Sequence, residues 1–332
     1  MAGRVTRLLL LGGALWTSLM AFMAAPSRAA ETDPYYGWWV PPRDGSRALD
    51  DAINRLLQET IADENARRDR AARRCEDIAL HLQGRLAPTA GWFFLGLTRS
   101  WNVDVSPHSS REYVDEFGAL SVYTPARLFP FGKFVPVDPS VRVGVIVFGT
   151  DKIAHFFTNG ARYYRRFLEE KAAGHSDDDA VDAAIAIGVG EEAGVLGQWA
   201  SGIFSFADLQ ANLRGLFWYR SLCEGAAPRL ALVDGRWRLE PFSIAEHVDP
   251  CFDEAFEPSA FDGDDAERIR AAIVGHCPRF RTPSVQQRWR AYLARDCPGR
   301  ERTAAVATRM QAHPPDAHRI FIDRVCAPTH SP

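Results

Sequence analysis

Four side chains capable of acid–base or ligand chemistry recur at intervals of four residues in one segment of the chain. They are Asp151, His155, Asn159 and Tyr163, and on a helix this spacing puts them on one face. A carboxylate and an imidazole one turn apart can share a proton, orient each other or hold a metal ion. The alternative is structural: Asp151 completes the helix N-terminus, and His155 is a hydrogen-bonded, partly buried histidine.

Two acids interrupt a glycine-rich apolar stretch further along the chain. They are Glu191 and Glu192, within the sequence from Ile185 to Gly197. Because burying an unpaired carboxylate is costly, at least one of them should have a partner or a raised pKa. Glycine destabilises a helix interior by about 1 kcal/mol relative to alanine. Close approach of another backbone is therefore expected at the glycines of this stretch, which are Gly188, Gly190, Gly194 and Gly197.

A third polar segment begins at Ser205. Ser205 and Asp208 have the spacing of a helix capping box, which accounts for both residues without any chemistry. Asn212 lies one turn after Asp208, on the same face and among leucines. Its amide could orient a substrate or a ligand.

Short connections make sequential helices antiparallel neighbours, so these three polar faces are expected to converge. The cofactor that such residues could hold is a divalent metal, Zn²⁺ or Mn²⁺ where imidazole takes part and Mg²⁺ where carboxylates dominate. The predicted catalytic residues, which are also the hypothetical metal ligands, are Asp151, His155, Glu192 and Asp208. The predicted ligand-binding residues are Lys152, Asn159, Tyr163, Ser205 and Asn212. Lys152 is one of three lysines in the chain, which suggests a chemical need for it.

The same residues carry a resemblance to a known family. The signature of VanZ-like proteins is similar to a pattern within about residues 140–222, which runs Asp151-Lys152-x-x-His155-Phe156, then Glu192, then Ser205-x-x-Asp208-x-x-x-Asn212-x-x-Gly215. Over about residues 35–260 the chain also resembles exported bacterial proteins with Gly-Thr-Asp-Lys-x-x-His-Phe-Phe and Gly-x-Phe-Ser-x-Ala-Asp-Leu-x-Ala-Asn motifs.

The family resemblance implies that five of these residues form one site: Asp151, His155, Glu192, Asp208 and Asn212. VanZ-like proteins are embedded in membranes and linked to envelope and glycopeptide-antibiotic phenotypes. This chain departs from them, because after its first thirty residues it has no apolar run long enough to span a bilayer. It also adds a cysteine-bearing C-terminal region.

The elements that position these residues are predicted from apolar spacing and turn signals. Helices are expected over residues 47–83, 151–171, 178–200, 206–223, 264–275, 284–295 and 300–311. Residues 141–148 predict a strand or a hairpin turning at Gly144, and the Asp-Gly pair within 232–239 predicts a second hairpin. The predicted fold class is therefore mainly α, with a helical bundle core, minor β hairpins and a disulfide-stapled helical C-terminal region.

Four regions are predicted along the chain. Residues 1–29 resemble a signal peptide, because Arg4 and Arg7 precede an apolar run of ~16 residues and a small-residue cleavage site. An uncleaved anchor is the alternative, although a spanning helix needs ~20 residues. Three regions follow: an N-terminal helical and irregular region (30–140), the VanZ-like helical core (141–223), and a C-terminal region of a hairpin and cysteine-containing helices (224–332). The last region could equally wrap the same core.

Composition and cysteine content limit the class of protein. The chain has 332 residues, 24% of them charged, and a net charge of −3, which excludes a disordered chain and gives no case for nucleic-acid binding. No Cys-x-x-Cys occurs, so an even number of cysteines indicates structural disulfides in a periplasmic or secreted protein. Six cysteines allow 15 pairings, and they are Cys75, Cys223, Cys251, Cys277, Cys297 and Cys326.

Two functional hypotheses follow. In the first, the protein is an exported envelope-associated protein whose convergent cluster is a buried polar network or a ligand site, with a cell-envelope component or another protein as its partner. In the second, it is a metal-dependent periplasmic hydrolase acting on a phosphorylated or glycan envelope substrate. The strings His-Glu-x-x-His and Gly-x-Ser-x-Gly and the P-loop pattern are absent, which favours the first.

Overall fold

The structure, a computed structural model, describes residues 33–86, 121–123, 140–194, 197–198, 202–312 and 318–327. The predicted signal peptide lies outside these residues. Helices dominate the described part, as the predicted fold class requires. They are α1 (Tyr36–Trp39), α2 (Ser46–Ala66), α3 (Cys75–Leu86), α4 (Asp151–Ala154), α5 (Gly160–Ala172), α6 (Asp177–Glu192), α7 (Phe206–Cys223), α8 (Gly263–Phe280), α9 (Pro283–Leu293), α10 (Arg300–Met310) and α11 (Ile322–Val325).

The β structure consists of short antiparallel pairs. Both predicted hairpins are present, the first as β1 (Ser140–Val143) and β2 (Ile146–Gly149), and Gly144 turns it with a φ of 61°. In the second hairpin, Asp234 and Gly235 both have positive φ, as the two-residue turn of an Asp-Gly hairpin requires. The strands of this hairpin are β4 (Leu230–Val233) and β5 (Arg236–Leu239). A small three-stranded sheet has the order β3 (Ile203–Phe204), β6 (Ala260–Phe261) and β7 (His318–Arg319).

Two helix predictions need correction. The expected helix over residues 47–83 is broken, because Arg67 adopts an extended conformation (ψ 144°) and residues 67–74 form a turn with a 3₁₀ segment at Arg70–Ala72. The expected helix over 178–200 begins one residue earlier and ends at Glu192. Helical spacing alone did not reveal the turn at 67–74, since apolar residues recur at helical spacing on both sides of it.

Helices α5 and α7 cross at two glycines. A Cβ on Gly160 would lie 2.6 Å from the Gly215 Cα, and a Cβ on Gly215 would lie 2.0 Å from the Phe156 carbonyl oxygen. Such a close backbone approach excludes any side chain at either position. Of the glycines expected to allow it, Gly197 does, because a Cβ there would overlap the Glu192 backbone. Gly188 instead accommodates the Tyr163 hydroxyl, and Gly190 has open space beside it.

Three disulfides tie distant parts of the chain. Cys75–Cys223 joins the start of α3 to the end of α7 across 148 residues, and Cys251–Cys297 and Cys277–Cys326 close loops in the C-terminal region. The predicted C-terminal stapling is therefore confirmed. Within the described ranges, none of the helices combines the length and hydropathy that crossing a bilayer requires.

Candidate functional site

The Lys152 ammonium is the centre of the polar cluster. It lies on α4, its side chain is 0% exposed, and Nζ is 2.5 Å from Asp151 Oδ2, 2.6 Å from Asp208 Oδ1 and 2.6 Å from Glu254 Oε1. A buried charge is tolerated only when it is paired and hydrogen-bonded. Three carboxylates around one ammonium meet that requirement and draw α4, α7 and the 249–257 segment together.

The His155 ring links this centre to α7. We assign the Asn212 amide with its nitrogen towards His155, because that nitrogen then donates to Nδ1 at 3.0 Å and to the Asp208 carbonyl oxygen at 3.2 Å. Asn159 Nδ2 lies 3.1 Å from the same Nδ1. With two donors facing Nδ1, the ring proton belongs on Nε2, which lies 3.3 Å from Asp208 Oδ2.

The backbone around His155 departs from a regular α-helix. Residues His155–Asn159 form a π-helical segment between α4 and α5, and such segments are frequent at functional sites. Tyr163 follows in α5, its hydroxyl 3.4 Å from the Asn212 amide and 3.5 Å from the Ile185 carbonyl oxygen. The predicted face is therefore present, with Tyr163 behind the histidine and facing α6.

Ser205 and Glu192 join α6 to the start of α7. The Ser205 hydroxyl accepts from the Asp208 backbone N–H at 3.2 Å, so Ser205 caps α7 as predicted. The Asp208 side chain does not complete a capping box, because it contacts Lys152 and His155 instead. The same hydroxyl donates to Glu254 Oε1 at 3.3 Å, and the Ser205 backbone N–H donates to Glu192 Oε2 at 3.2 Å. At least one of the two acids was predicted to have a partner, and both have one, since Glu191 forms an ion pair with Arg162.

The acids of the cluster differ in their ease of ionisation. Burial, reinforced by the neighbouring Asp208 charge, raises the pKa of Glu192 well above its ordinary value. Burial also opposes ionisation of Asp208, but His155 and Lys152 outweigh it and hold the pKa of that carboxyl below its usual value. For Glu254, burial raises the pKa although Lys152 opposes the shift. The cluster thus pairs an ionised Asp208 with a carboxyl, Glu192, that favours its proton.

Glu254 is the cluster residue that sequence reasoning missed. It follows Asp253 in a segment of buried acids, and its second oxygen accepts from the Tyr123 hydroxyl at 3.1 Å. Asp253 accepts from Trp38 Nε1 and from the Tyr292 hydroxyl, both at 2.9 Å. Burial raises the pKa of Asp253 to about 7, although these donors oppose the shift. The sequence signal that could have found Glu254 is the set of acids interspersed with apolar and aromatic residues in 249–257.

Three of the four hypothetical metal ligands come together. Donor atoms of Asp151, His155 and Asp208 lie within 4.8 Å of one another, whereas Glu192 is not a member of this group. The donor types suit a divalent ion. The Lys152 ammonium, however, already contacts both carboxylates, so a metal ion there would lie beside a buried positive charge. The residues therefore fit a metal poorly while Lys152 remains in place.

A second group of possible ligands contains a disulfide. Asp249, Cys251 and Cys297 have donor atoms within the same distance of one another. Because the two sulfurs are bonded to each other, they are not thiolate ligands.

No protein-family model matches this chain, and comparisons with curated proteins and with solved structures also return no match.

Proposed function

We propose that the chain is an exported, envelope-associated protein in which the Lys152-centred cluster is a buried polar network that fixes the helices. The observation that carries the proposal is the ammonium of Lys152, fully buried and within 2.6 Å of three carboxylates. A satisfied network of this kind rigidifies a core and specifies one packing arrangement. An extracytoplasmic location agrees with the three disulfides.

The wider contacts of the cluster support a structural role. The Asp208 side chain contacts Lys152 and His155 and is almost fully buried, and the Asp208 backbone N–H donates to the hydroxyl of Ser205, the residue that caps α7. The Ser205 hydroxyl is fully buried and is engaged by Asp208 and Glu254. Asp208 and Ser205 therefore have a packing explanation that needs no substrate.

Asp208→Asn tests the proposal. The amide keeps the size of the side chain and removes its charge, so the network should lose about 1–3 kcal/mol of unfolding free energy. Denaturant titration followed by circular dichroism measures the loss. Asp178→Asn is the matched control, because Asp178 is almost fully exposed and pairs with Arg302 at the surface. Equal stability of D208N and the parent would contradict the network.

The second candidate function is the metal-dependent hydrolase acting on a phosphorylated or glycan envelope substrate. It is favoured by the grouping of Asp151, His155 and Asp208 and by the opposite pKa shifts of Glu192 and Asp208, since acid–base pairs are separated in this way. The contacts of Lys152 with Asp151 and Asp208 argue against the hydrolase, because they place a buried positive charge beside two of the three metal ligands.

Elemental analysis separates the two candidates. The protein would be purified from the periplasm without chelators or affinity nickel and its bound metal measured. One metal ion per chain, lost in His155→Ala and Asp208→Ala, would favour the hydrolase and justify assays with phosphoesters and envelope fragments. A well-folded protein free of metal would contradict the metallohydrolase and leave the network.

A further inference from the structure

The turn at residues 67–74 and the β4–β5 hairpin share one surface, which we call the basic hairpin face. Seven arginines and two acids lie in residues 67–74 and 230–239 together, although the whole chain carries a net charge of −3. Arg67 is paired with Asp69 at 3.1 Å, Arg73 with Glu64 at 3.5 Å and Arg74 with Asp77 at 2.8 Å. The positive charge of this face therefore exceeds what its own acids neutralise.

Three arginines of the face are exposed and form no ion pair within the described part of the chain. Arg236 and Arg238 alternate with the buried Trp237 on β5, so both point to the outer side of the hairpin. Arg68 lies on the adjoining turn. These guanidinium groups are available to an anionic partner.

The tip of the same hairpin exposes two adjacent apolar side chains. Leu232 is 40% exposed and Val233 is 38% exposed, and both precede the Asp234–Gly235 turn. Val233 pairs with Arg236 across the hairpin, so these two side chains emerge side by side, whereas Leu232 pairs with Trp237 and lies on the opposite face of the tip. Isolated exposed apolar residues are ordinary, but an apolar tip beside exposed arginines matches the chemistry of a lipid interface.

The face is held in a fixed shape. The Trp237 indole N–H donates to the Arg70 carbonyl oxygen at 2.9 Å, and Arg70 Nε donates to the Gly235 carbonyl oxygen at 3.0 Å. The base of the hairpin lies beside the Cys75–Cys223 disulfide, with Cys75 Sγ 3.7 Å from the Leu230 carbonyl oxygen. A surface organised in advance loses little conformational entropy on binding.

We propose that the basic hairpin face docks the protein on the surface of an anionic phospholipid bilayer. The arginines would contact phosphate headgroups, while Leu232 and Val233 would enter the boundary between headgroups and acyl chains. A soluble acidic polymer would satisfy the arginines but would leave the apolar tip in water, so charge and apolar exposure together favour the lipid surface. The inference does not depend on the Lys152-centred cluster.

Vesicle co-sedimentation tests the proposal with the purified protein. We expect binding to vesicles of phosphatidylglycerol and phosphatidylethanolamine, weakening with salt, and no binding to phosphatidylcholine vesicles. Arg236→Gln with Arg238→Gln should reduce affinity about tenfold or more. Leu232→Ser with Val233→Ser should also reduce it, by about tenfold. Circular dichroism checks that each variant, altered only at exposed positions, keeps the parent fold.

Matched controls come from the C-terminal helices. Arg270→Gln with Arg279→Gln removes two exposed arginines of α8, and Val274→Ser with Leu293→Ser removes two exposed apolar side chains. Neither control should change vesicle binding. The proposal is wrong if anionic vesicles are not bound or if the controls weaken binding as much as the hairpin variants. Binding to polyglutamate as strong as that to vesicles, and insensitive to the apolar substitutions, would overturn it in favour of a soluble acidic partner.

Discussion

Lys152 Nζ lies 2.6 Å from Glu254 Oε1, although 102 residues separate the two along the chain. This contact connects the α4 segment to the buried acidic segment that follows the second hairpin. Asp151 and Asp208 complete the surroundings of the same ammonium. The polar cluster is thus a tertiary feature rather than a property of one helix, and its consequences can be measured.

Lys152→Met should lower the free energy of unfolding by about 3–5 kcal/mol, because it leaves buried carboxylates without their cation. Denaturant titration of the variant and the parent measures the difference. Lys171→Met is the control, since Lys171 is partly exposed and pairs with Asp177 at the surface. An equal effect of the two substitutions would rule out a special role for the buried ammonium.

Gly215→Ala should destabilise the crossing of α5 and α7 by about 1–3 kcal/mol, because the added methyl group would overlap the Phe156 carbonyl oxygen and the Gly160 Cα. Thermal unfolding is the appropriate measurement. Gly275→Ala is the matched control: it has open space in α8, so the better helix propensity of alanine should stabilise it by up to about 1 kcal/mol. A neutral G215A would mean that the helices can move apart freely.

His247→Phe should flatten the dependence of stability on pH. Burial, reinforced by Arg214 and Arg229, lowers the pKa of His247 to about 3, whereas an unfolded histidine has a pKa of about 6.5. Below about pH 6.5 His247 binds a proton in the unfolded chain but not in the folded protein. The stability that His247 contributes is therefore complete above about pH 6.5 and declines as the pH falls.

The measurement for His247 is the change in unfolding free energy between about pH 7 and about pH 5, where the parent should lose about 2 kcal/mol more than the variant. Phenylalanine suits the position, because the His247 ring lies 5.4 Å from the Phe156 ring and 5.1 Å from that of Phe242, between centroids. The same pH profile in both proteins would show that His247 is protonated in the folded state.

Replacing both Cys75 and Cys223 with alanine should lower the unfolding free energy by up to about 5 kcal/mol, since the bond closes a loop of 148 residues. The corresponding change at Cys251 and Cys297, which close a loop of 46 residues, should lower it by up to about 4 kcal/mol. Differential scanning calorimetry under non-reducing conditions compares them. A larger effect for the shorter loop would show that local packing outweighs chain entropy.

Local features of the fold were predictable because their causes are local. The Asp-Gly turn of the second hairpin and the capping of α7 by Ser205 each depend on residues within a few positions. The i, i+4 spacing from Asp151 to Tyr163 also gave the common face, although it did not reveal the π-helical segment, whose extra residue per turn leaves no clear mark in the apolar pattern.

The parts of the site that the sequence did not predict depend on contacts between residues far apart along the chain. Glu254 approaches Lys152 only because the 249–257 segment returns to α7, and no periodicity encodes that return. Without it, Lys152 was predicted to bind a ligand, whereas it binds the protein's own carboxylates. The disulfide pairing was open for the same reason, since any of 15 pairings satisfied the sequence.

The span between Lys152 and Glu254 also imposes an order on assembly. A chain that emerges from its N-terminus presents Lys152 about a hundred residues before the carboxylate that completes its surroundings. Until Glu254 arrives, the ammonium retains its hydration, because burying it early would leave a charge only partly compensated. A product truncated before residue 254 therefore lacks one of the three carboxylates that surround the buried ammonium.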